Sequence, residues 1–151
     1  NFLLMEFIKG PLLFQWISVL KGRGIKSRIQ KVLRDILEQC LRLDKIGLDH
    51  GELSKAPKHI LIDEEDKPHI VDFETASINR RVSNVTSICQ YLFIGSQVAK
   101  VVKRRFGYIN QDALIESLKN YKRRRNRRNF ESILKSCKLY DVQIRKLQIC
   151  L

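Results

Sequence analysis

Apolar residues recur at helical spacing over most of the chain. Positions 12, 13, 16, 17 and 20 are apolar, and the residues from Lys21 to Gly24 end this first segment. Between Ile25 and Leu41, eight apolar residues mark one face of a second helix, for which Gly47 is a plausible end. Similar patterns predict further helices over 84–106, 111–122, 129–139 and 141–150.

Short apolar runs bounded by turn residues predict strands elsewhere. Residues 2–8 form one such run, which Lys9, Gly10 and Pro11 end. Residues 60–62 and 69–71 are two more, and the polar segment 63–68 between them predicts a β-hairpin with a slightly long turn. We therefore expect a mainly α fold with a small β-hairpin.

The composition favours a folded cytoplasmic protein. Apolar residues make up 44% of the 151 positions, which excludes a wholly disordered chain. No run approaches the ~18 consecutive apolar residues that a membrane span needs, so we expect no membrane partner. The four cysteines are scattered and include no CxxC pair, which argues against a disulfide scaffold and a zinc ribbon and fits a reducing compartment.

The net charge of +13 is unevenly distributed along the chain. Residues 44–74 carry a net charge of −5, whereas residues 100–128 carry +9. An acidic centre could hold a metal ion, and a basic block favours an anionic partner. The two regions therefore predict two kinds of contact.

Two carboxylates flank the predicted hairpin. Glu52 lies in the loop before the first strand, and Asp72 ends the second strand, so the hairpin would bring them close together. Phosphoryl transfer uses one carboxylate to orient the attacking hydroxyl and another to hold Mg²⁺. The alternative is that both are ordinary loop carboxylates that cap turns.

Three motifs around these carboxylates resemble a known family. Residues 50–54 match the catalytic-loop pattern H-G-D-L-S/T, residues 71–74 match the strand and D-F-G metal motif, and residues 3–10 are similar to the L-V-M-E-Y-I-x-G hinge. In this order they resemble the C-terminal lobe of an atypical protein kinase, of the RIO and KEOPS-kinase type and similar predicted archaeal serine/threonine kinases. The resemblance covers residues 1 to about 95.

The resemblance implies an organisation and a set of roles. It implies a hinge strand at 1–10, a C-lobe core at 11–99 and a basic helical extension of the same lobe at 100–151. Glu52 would stand in the catalytic position, Asp72 would bind Mg²⁺, and His50 would brace the loop. The residues implied to contact ATP are Met5, Glu6, Ile8, Leu61 and Val71.

Several departures from the family pattern leave the activity open. Glu52 replaces Asp, Glu74 replaces the Gly of D-F-G, and the second metal-binding Asn falls on Pro57 or, counting back from the strand, on His59. His59 is thus a second metal candidate, although a satisfied structural histidine is the simpler interpretation. The chain also starts at the hinge, without a Gly-rich loop or a V-A-I-K lysine. If this chain is all there is, half of the ATP site is absent, and we expect either that an N-lobe was lost by truncation or proteolysis or that the protein is a remnant that no longer transfers phosphate.

The basic block supports a different function. Its strongest run is predicted to bind a polyanion through Lys122, Arg123, Arg124, Arg125, Arg127 and Arg128. A second cluster spans 100–105, with Phe106 and Tyr108 as possible stacking residues. The alternative interpretation of both basic segments is that they form a solvent-exposed helix face without a ligand. We therefore expect a serine/threonine kinase-like or ATPase C-lobe acting on a protein or ribonucleoprotein, or else a non-catalytic RNA-binding module.

Overall fold

This computed structural model describes residues 9–55 and 58–140, which contain six α-helices, one short 3-10 helix (Leu53–Lys55) and one two-stranded hairpin. The helices are α1 (Leu13–Val19), α2 (Ile25–Ile46), α3 (Asn84–Phe93), α4 (Gln97–Arg105), α5 (Gln111–Arg123) and α6 (Arg127–Ser136). The predicted mainly helical fold is confirmed. The strand predicted at 2–8 and the helix predicted at 141–150 lie outside the described residues.

The hairpin consists of β1 (Ile60–Ile62) and β2 (Pro68–Ile70), which pair antiparallel with Ile60 opposite Ile70. Ile60 and Ile62 are buried in the core, and Leu61 between them is half-buried on the other face, as the alternation of a strand requires. The first strand contacts α1 and the second contacts α2. The hairpin predicted from the sequence is confirmed, with β2 starting one residue earlier.

The long helix α2 forms the centre of the core. Seven residues of its predicted apolar face are buried: Ile29, Val32, Leu33, Ile36, Leu37, Cys40 and Leu41. The helix ends where Gly47 adopts a left-handed conformation with φ of 78° and donates its N–H to the carbonyl of Asp44. Because glycine carries no Cβ, it takes this conformation at little cost. The predicted end of α2 is therefore confirmed.

The continuous helix predicted over 84–106 is wrong. The structure instead has two helices, α3 and α4, bent by 66° relative to each other. Ser96 starts the second of them by accepting a hydrogen bond from the Ala99 N–H at 2.9 Å. A glycine followed by a capping serine interrupts the helix, although the apolar pattern runs on across the break.

In the described part of the chain, no single helix has the length and apolar character of a membrane span. The bent pair α3 and α4 reaches the length and composition of one only when its two helices are taken together. Most of their apolar residues are buried in the core.

The buried cysteines belong to this core. Cys40, Cys89 and Cys137 are free thiols without solvent exposure, as their position in apolar patterns predicts. Burial raises the pKa of the Cys40 thiol and of the Cys137 thiol. Because the thiolate is the reactive form, these cysteines are structural residues.

Candidate functional site

A buried asparagine anchors the loop that follows α2. Asn84, the first residue of α3, accepts a hydrogen bond from the His50 N–H at 2.8 Å. Its side-chain amide donates to the Leu48 carbonyl at 2.7 Å and to Asp44 Oδ1 at 2.8 Å. The Asp44 carboxylate also accepts the Tyr121 hydroxyl at 2.7 Å. These bonds fix the loop to three helices at once.

Asp49 ties the same loop to the segment after the hairpin. Its carboxylate accepts hydrogen bonds from Arg80 Nε at 2.8 Å and from the Ser83 N–H at 2.9 Å. Its backbone exchanges two hydrogen bonds with Ser77, at 3.0 and 2.9 Å. The carboxylate is therefore buried and fully paired, as a structural acid must be.

Gly51 lies at the tightest point of the loop. Its φ is 94°, and a Cβ placed there would lie 2.5 Å from Arg80 Nη2 and 3.1 Å from the Thr75 carbonyl oxygen. Both the backbone conformation and the crowding favour glycine. The next residue, Glu52, is held by this turn at the edge of the site.

His50 braces the loop from within. It is fully buried, its Nε2 lies 2.9 Å from the Val71 carbonyl oxygen, and its Nδ1 accepts the Glu52 N–H at 3.3 Å. Because a carbonyl oxygen only accepts, the proton is on Nε2 and the lone pair is on Nδ1. The imidazole thus links the loop to the end of the hairpin, and both of its nitrogens are occupied.

Glu52, His59 and Asp72 converge at the mouth of the hairpin. His59 Nε2 lies 3.7 Å from Glu52 Oε2, and His59 Nδ1 lies 3.6 Å from Asp72 Oδ2. One ligand atom from each residue falls within 4.8 Å of the others. The hairpin therefore brings the two predicted carboxylates together and places an imidazole between them. We call these three residues the hairpin triad.

The sequence favoured a structural histidine at position 59, with both ring nitrogens hydrogen-bonded. The structure differs from this expectation. His59 is only 9% exposed, and among the described residues its buried Nδ1 has no hydrogen-bond partner. Buried polar atoms are normally paired, and each unpaired one costs stability. The His50 ring packs edge-on against it, with centroids 5.2 Å apart. With the two carboxylates beside it, this imidazole belongs to a group of three side chains that could hold a metal ion.

The two carboxylates of the triad are open to solvent on their other side. The Glu52 side chain is 41% exposed and that of Asp72 is 45% exposed. Asp72 also adopts a left-handed backbone with φ of 62°, which costs a non-glycine residue about 1 kcal/mol. Strain of this kind collects at functional sites. The triad therefore combines strain, an unpaired nitrogen and accessible oxygens.

Leu61 and Val71, the two predicted ATP contacts in the described chain, are half-buried residues of the hairpin. Val71 donates its N–H to the His59 carbonyl at 2.9 Å, so it continues the ladder beyond β2. Alternation along each strand puts both side chains on the face opposite Ile60 and Ile62. The other predicted ATP contacts, Met5, Glu6 and Ile8, lie outside the described residues, as does Pro57.

The polar turn of the hairpin is structural. Asp63 accepts hydrogen bonds from the N–H groups of Glu65 and Lys67 and lies 2.9 Å from His69 Nε2, and the contact with His69 lowers the pKa of Asp63. Asp66 binds Arg28 at 2.6 and 2.9 Å, which lowers the pKa of this carboxyl. The turn is therefore held by its own hydrogen bonds and by the ion pair with Arg28.

The basic run lies around the turn between α5 and α6, and all six of its predicted cations are exposed. Arg127 binds both Glu38 carboxylate oxygens, at 2.9 and 2.8 Å, and this contact raises its pKa. Arg125 donates to the Val82 carbonyl. Within residues 9–55 and 58–140, no ion pair forms at the other four, which are Lys122, Arg123, Arg124 and Arg128.

The second basic cluster is less suited to a ligand. Lys103 lies 5.7 Å from the ring of Tyr108, which is 64% exposed and accessible for stacking. Arg105, however, donates to the carbonyls of Ser18 and Leu20 and is thus a structural residue. Phe106 packs against the core.

Sequence reasoning missed the residues that position this site. Asp44, Asp49 and Asn84 carry no motif, and their side-chain contacts join positions 31 to 77 residues apart along the chain. A local signal exists only for Asn84, since asparagine is common at helix starts. The pairing of Asn84 with His50 becomes visible only in the folded chain.

Comparison with known proteins identifies an archaeal relative. No family model matches the chain. The chain is 34% identical over 99 residues to the uncharacterized protein MJ1211 of Methanocaldococcus jannaschii, and the match covers 66% of this chain and 80% of that protein. The chain belongs to the same family as this archaeal protein.

Proposed function

We propose that the chain is the C-lobe of an atypical serine/threonine kinase-like protein, which transfers the ATP γ-phosphate to a hydroxyl, or hydrolyses ATP, when an N-lobe completes it. The supporting observation is the convergence of Glu52, His59 and Asp72 at the hairpin mouth. Two solvent-accessible carboxylates on one site suit phosphoryl transfer, which depends on positioning and on charge stabilisation. The proposed setting is the cytoplasm, with a protein or ribonucleoprotein as substrate.

In this proposal each residue of the site has a defined task. Glu52 orients the attacking hydroxyl by accepting its hydrogen bond, and His50 holds the Glu52 backbone in place. Leu61 and Val71 offer apolar surface beneath the adenine. Asp72 holds the divalent cation, for which the resemblance implies Mg²⁺, and this cation would neutralise charge on the phosphates.

Calorimetric titration of the intact gene product with ATP and Mg²⁺ tests this proposal. Asp72→Ala removes the cation ligand, so we expect ATP–Mg²⁺ affinity to fall by about 100-fold, as losses around metal sites do. Glu116→Gln is the control, because it changes an exposed acid on α5, outside the hairpin and its motifs, and should leave the affinity unchanged. Absence of ATP binding, or binding that Asp72→Ala does not affect, would contradict the proposal.

A second candidate function is polyanion binding by the basic run, with RNA as the ligand. The specific support is that Lys122, Arg123, Arg124 and Arg128 are exposed cations from the end of α5 to the first turn of α6. Six cations within seven residues would release counterions on binding RNA, which makes the affinity strongly salt-dependent. This function needs neither ATP nor the hairpin triad.

Salt-dependent RNA titrations separate this candidate from the first. Replacing both Arg124 and Arg128 with Gln should weaken binding and reduce the slope of log affinity against log salt by about 2. Arg127→Gln is the control, because this side chain is already engaged with Glu38 and should change the slope less. Equal slopes for all variants would contradict RNA binding by this run.

A further inference from the structure

We propose that the hairpin triad, Glu52, His59 and Asp72, selects a divalent transition metal that accepts an imidazole ligand, in the affinity order Zn²⁺, then Mn²⁺, then Mg²⁺. The proposal rests on the proposed function only in that it names the metal of the same site. The two can fail separately, because metal binding is measured here without nucleotide.

The first step of the argument is the buried nitrogen of His59. Its Nδ1 has no hydrogen-bond partner in the described part of the chain and lies 3.6 Å from Asp72 Oδ2. Two ligand atoms of one small cation lie about 3 to 4 Å apart, because each sits about 2 Å from the metal. A shift of a few tenths of an ångström would therefore let both atoms bind one ion.

The third residue completes the donor set. Glu52 Oε2 lies 3.7 Å from His59 Nε2, and the three ligand atoms lie within 4.8 Å of one another. Glu52 can act as a direct ligand or accept the imidazole proton from outside the metal, and the latter contact would fix the imidazole for binding through Nδ1. In both arrangements His59 lies between the two carboxylates, whose side chains are 41% and 45% exposed to solvent.

The second step concerns the choice of ion. Mg²⁺ prefers oxygen ligands and gives up its waters reluctantly, so a buried imidazole adds little to its binding. Zn²⁺ binds His nitrogen as well as Asp and Glu oxygens, and its catalytic sites keep one position open for water or substrate. Mn²⁺ binds a given nitrogen and oxygen site more weakly than Zn²⁺. His59 is therefore a selectivity residue.

Titration of the full chain with Zn²⁺, Mn²⁺ and Mg²⁺ separately, without ATP, tests the order. We expect one Zn²⁺ per chain, bound at least about 100-fold more tightly than Mg²⁺. The visible absorption of Co²⁺ gives a second readout, because its intensity and position report the nitrogen and oxygen ligands around the ion. Mg²⁺ binding as tightly as Zn²⁺ would overturn the proposal.

Substitutions at two histidines locate the metal. His59→Asn replaces the imidazole with an amide oxygen, so Zn²⁺ affinity should fall by about 100-fold and Mg²⁺ affinity should stay within about tenfold of the wild type. His69→Asn is the matched control, since His69 lies on the same hairpin and pairs with Asp63. It should leave both affinities and the Co²⁺ spectrum unchanged.

The outcomes separate the two proposals. If Zn²⁺ affinity falls only in His69→Asn, or in neither variant, the triad is not the metal site and the inference is wrong. If His59→Asn alone lowers Zn²⁺ affinity but no ATP binds the intact protein, the metal site stands and the kinase-like function fails. If His59→Asn does not fold, Zn²⁺ and Mg²⁺ binding by Asp72→Asn and the wild type still decides the order.

Discussion

Two pairs of carboxylates lie close together in the chain and have opposite environments. Asp44 and Asp49 are 7% and 4% exposed, and every carboxylate oxygen of the two accepts at least one hydrogen bond. Glu52 and Asp72 are more than 40% exposed at the side chain, and their nearest partner in the triad is the imidazole of His59. Fewer than thirty residues separate the two pairs.

The difference separates acids that hold the loop in place from acids whose oxygens remain accessible to a ligand. A buried carboxylate is tolerated only when donors surround it, and such an acid then holds the loop in one conformation. An acid that is left open keeps its oxygens for a ligand, and a strained backbone at Asp72 adds to its cost. The structural pair thus supports the geometry that the open pair requires.

Removal of the buried Asp44 carboxylate should have the largest effect on stability. Asp44→Ala leaves the Tyr121 hydroxyl and the Asn84 N–H without their acceptor, so we expect the free energy of unfolding to fall by about 3 kcal/mol or more. Urea unfolding measures this difference. Asp112→Ala, at an exposed acid in the first turn of α5, should cost less than about 1 kcal/mol. A similar loss in both variants would contradict the structural role of Asp44.

Removal of the Tyr121 hydroxyl, which donates a hydrogen bond to Asp44, should have a smaller effect on stability. Burial and the hydrogen bond to Asp44 raise the pKa of Tyr121, and Tyr121→Phe removes that bond at a cost of about 1–2 kcal/mol. Tyr140→Phe is the control, since the Tyr140 hydroxyl is buried without a partner among the described residues and its loss should be close to neutral. Equal losses in thermal or urea unfolding would show that ring packing, and not the bond, is responsible.

The ion pair between Asp66 in the hairpin turn and Arg28 should contribute a smaller, pH-dependent part of the stability. Arg28 lowers the pKa of Asp66, so Asp66→Asn should reduce stability by about 1 kcal/mol at pH 7, as a two-bonded pair at a partly exposed site does. A lowered folded-state pKa stabilises the protein above the ordinary carboxyl pKa of about 3.9, and this contribution is lost as the pH falls through the lowered value.

Urea unfolding at pH 7 and pH 2.5 checks this sign. The gap between the wild type and Asp66→Asn should be full at pH 7 and much smaller at pH 2.5. A gap that grows in acid would mean that Arg28 does not favour the charged form of Asp66.

Replacement of Asp72, one of the two exposed carboxylates, should increase stability, and this change should be the smallest of the four. Asp72→Gly relieves the left-handed backbone strain and should raise the free energy of unfolding by about 0.5–1 kcal/mol, while Zn²⁺ affinity is lost. Lys138→Gly is the matched control, because Lys138 has a φ of 57° away from the site. It should gain similar stability and keep its metal affinity. A loss of stability in Asp72→Gly would show that Asp72 is a structural acid like Asp49.

The sequence predicted elements better than it predicted breaks between them. The periodic face of α2, its end at Gly47 and the pairing of the hairpin follow from spacing and from turn residues, which act locally. The bend between α3 and α4 was missed, because their apolar faces join smoothly across Gly95 and only the capping bond of Ser96 separates them. A local apolar pattern indicates which face of a helix is buried, but it is a weaker indicator of where one helix ends and the next begins in a new direction.

The candidate site also has one part that the sequence predicted and one part that it did not. Spacing on either side of a hairpin was sufficient to bring Glu52 and Asp72 together, since antiparallel strands return the chain to its starting edge. The state of His59 could not be predicted, because an imidazole beside apolar residues is satisfied or unpaired according to which groups pack around it. In the described chain its Nδ1 is unpaired.

The sequence by itself determined most of the helices, the hairpin, the acidic centre and the basic run, because periodicity and charge are properties of neighbouring residues. Only the tertiary structure decided which acids are buried and paired and which remain open. That division depends on Asn84, Tyr121 and Arg80, which reach the loop from 31 to 77 residues away. Solvation of a carboxylate depends on everything packed around it, and in this protein those neighbours come together only when the chain folds.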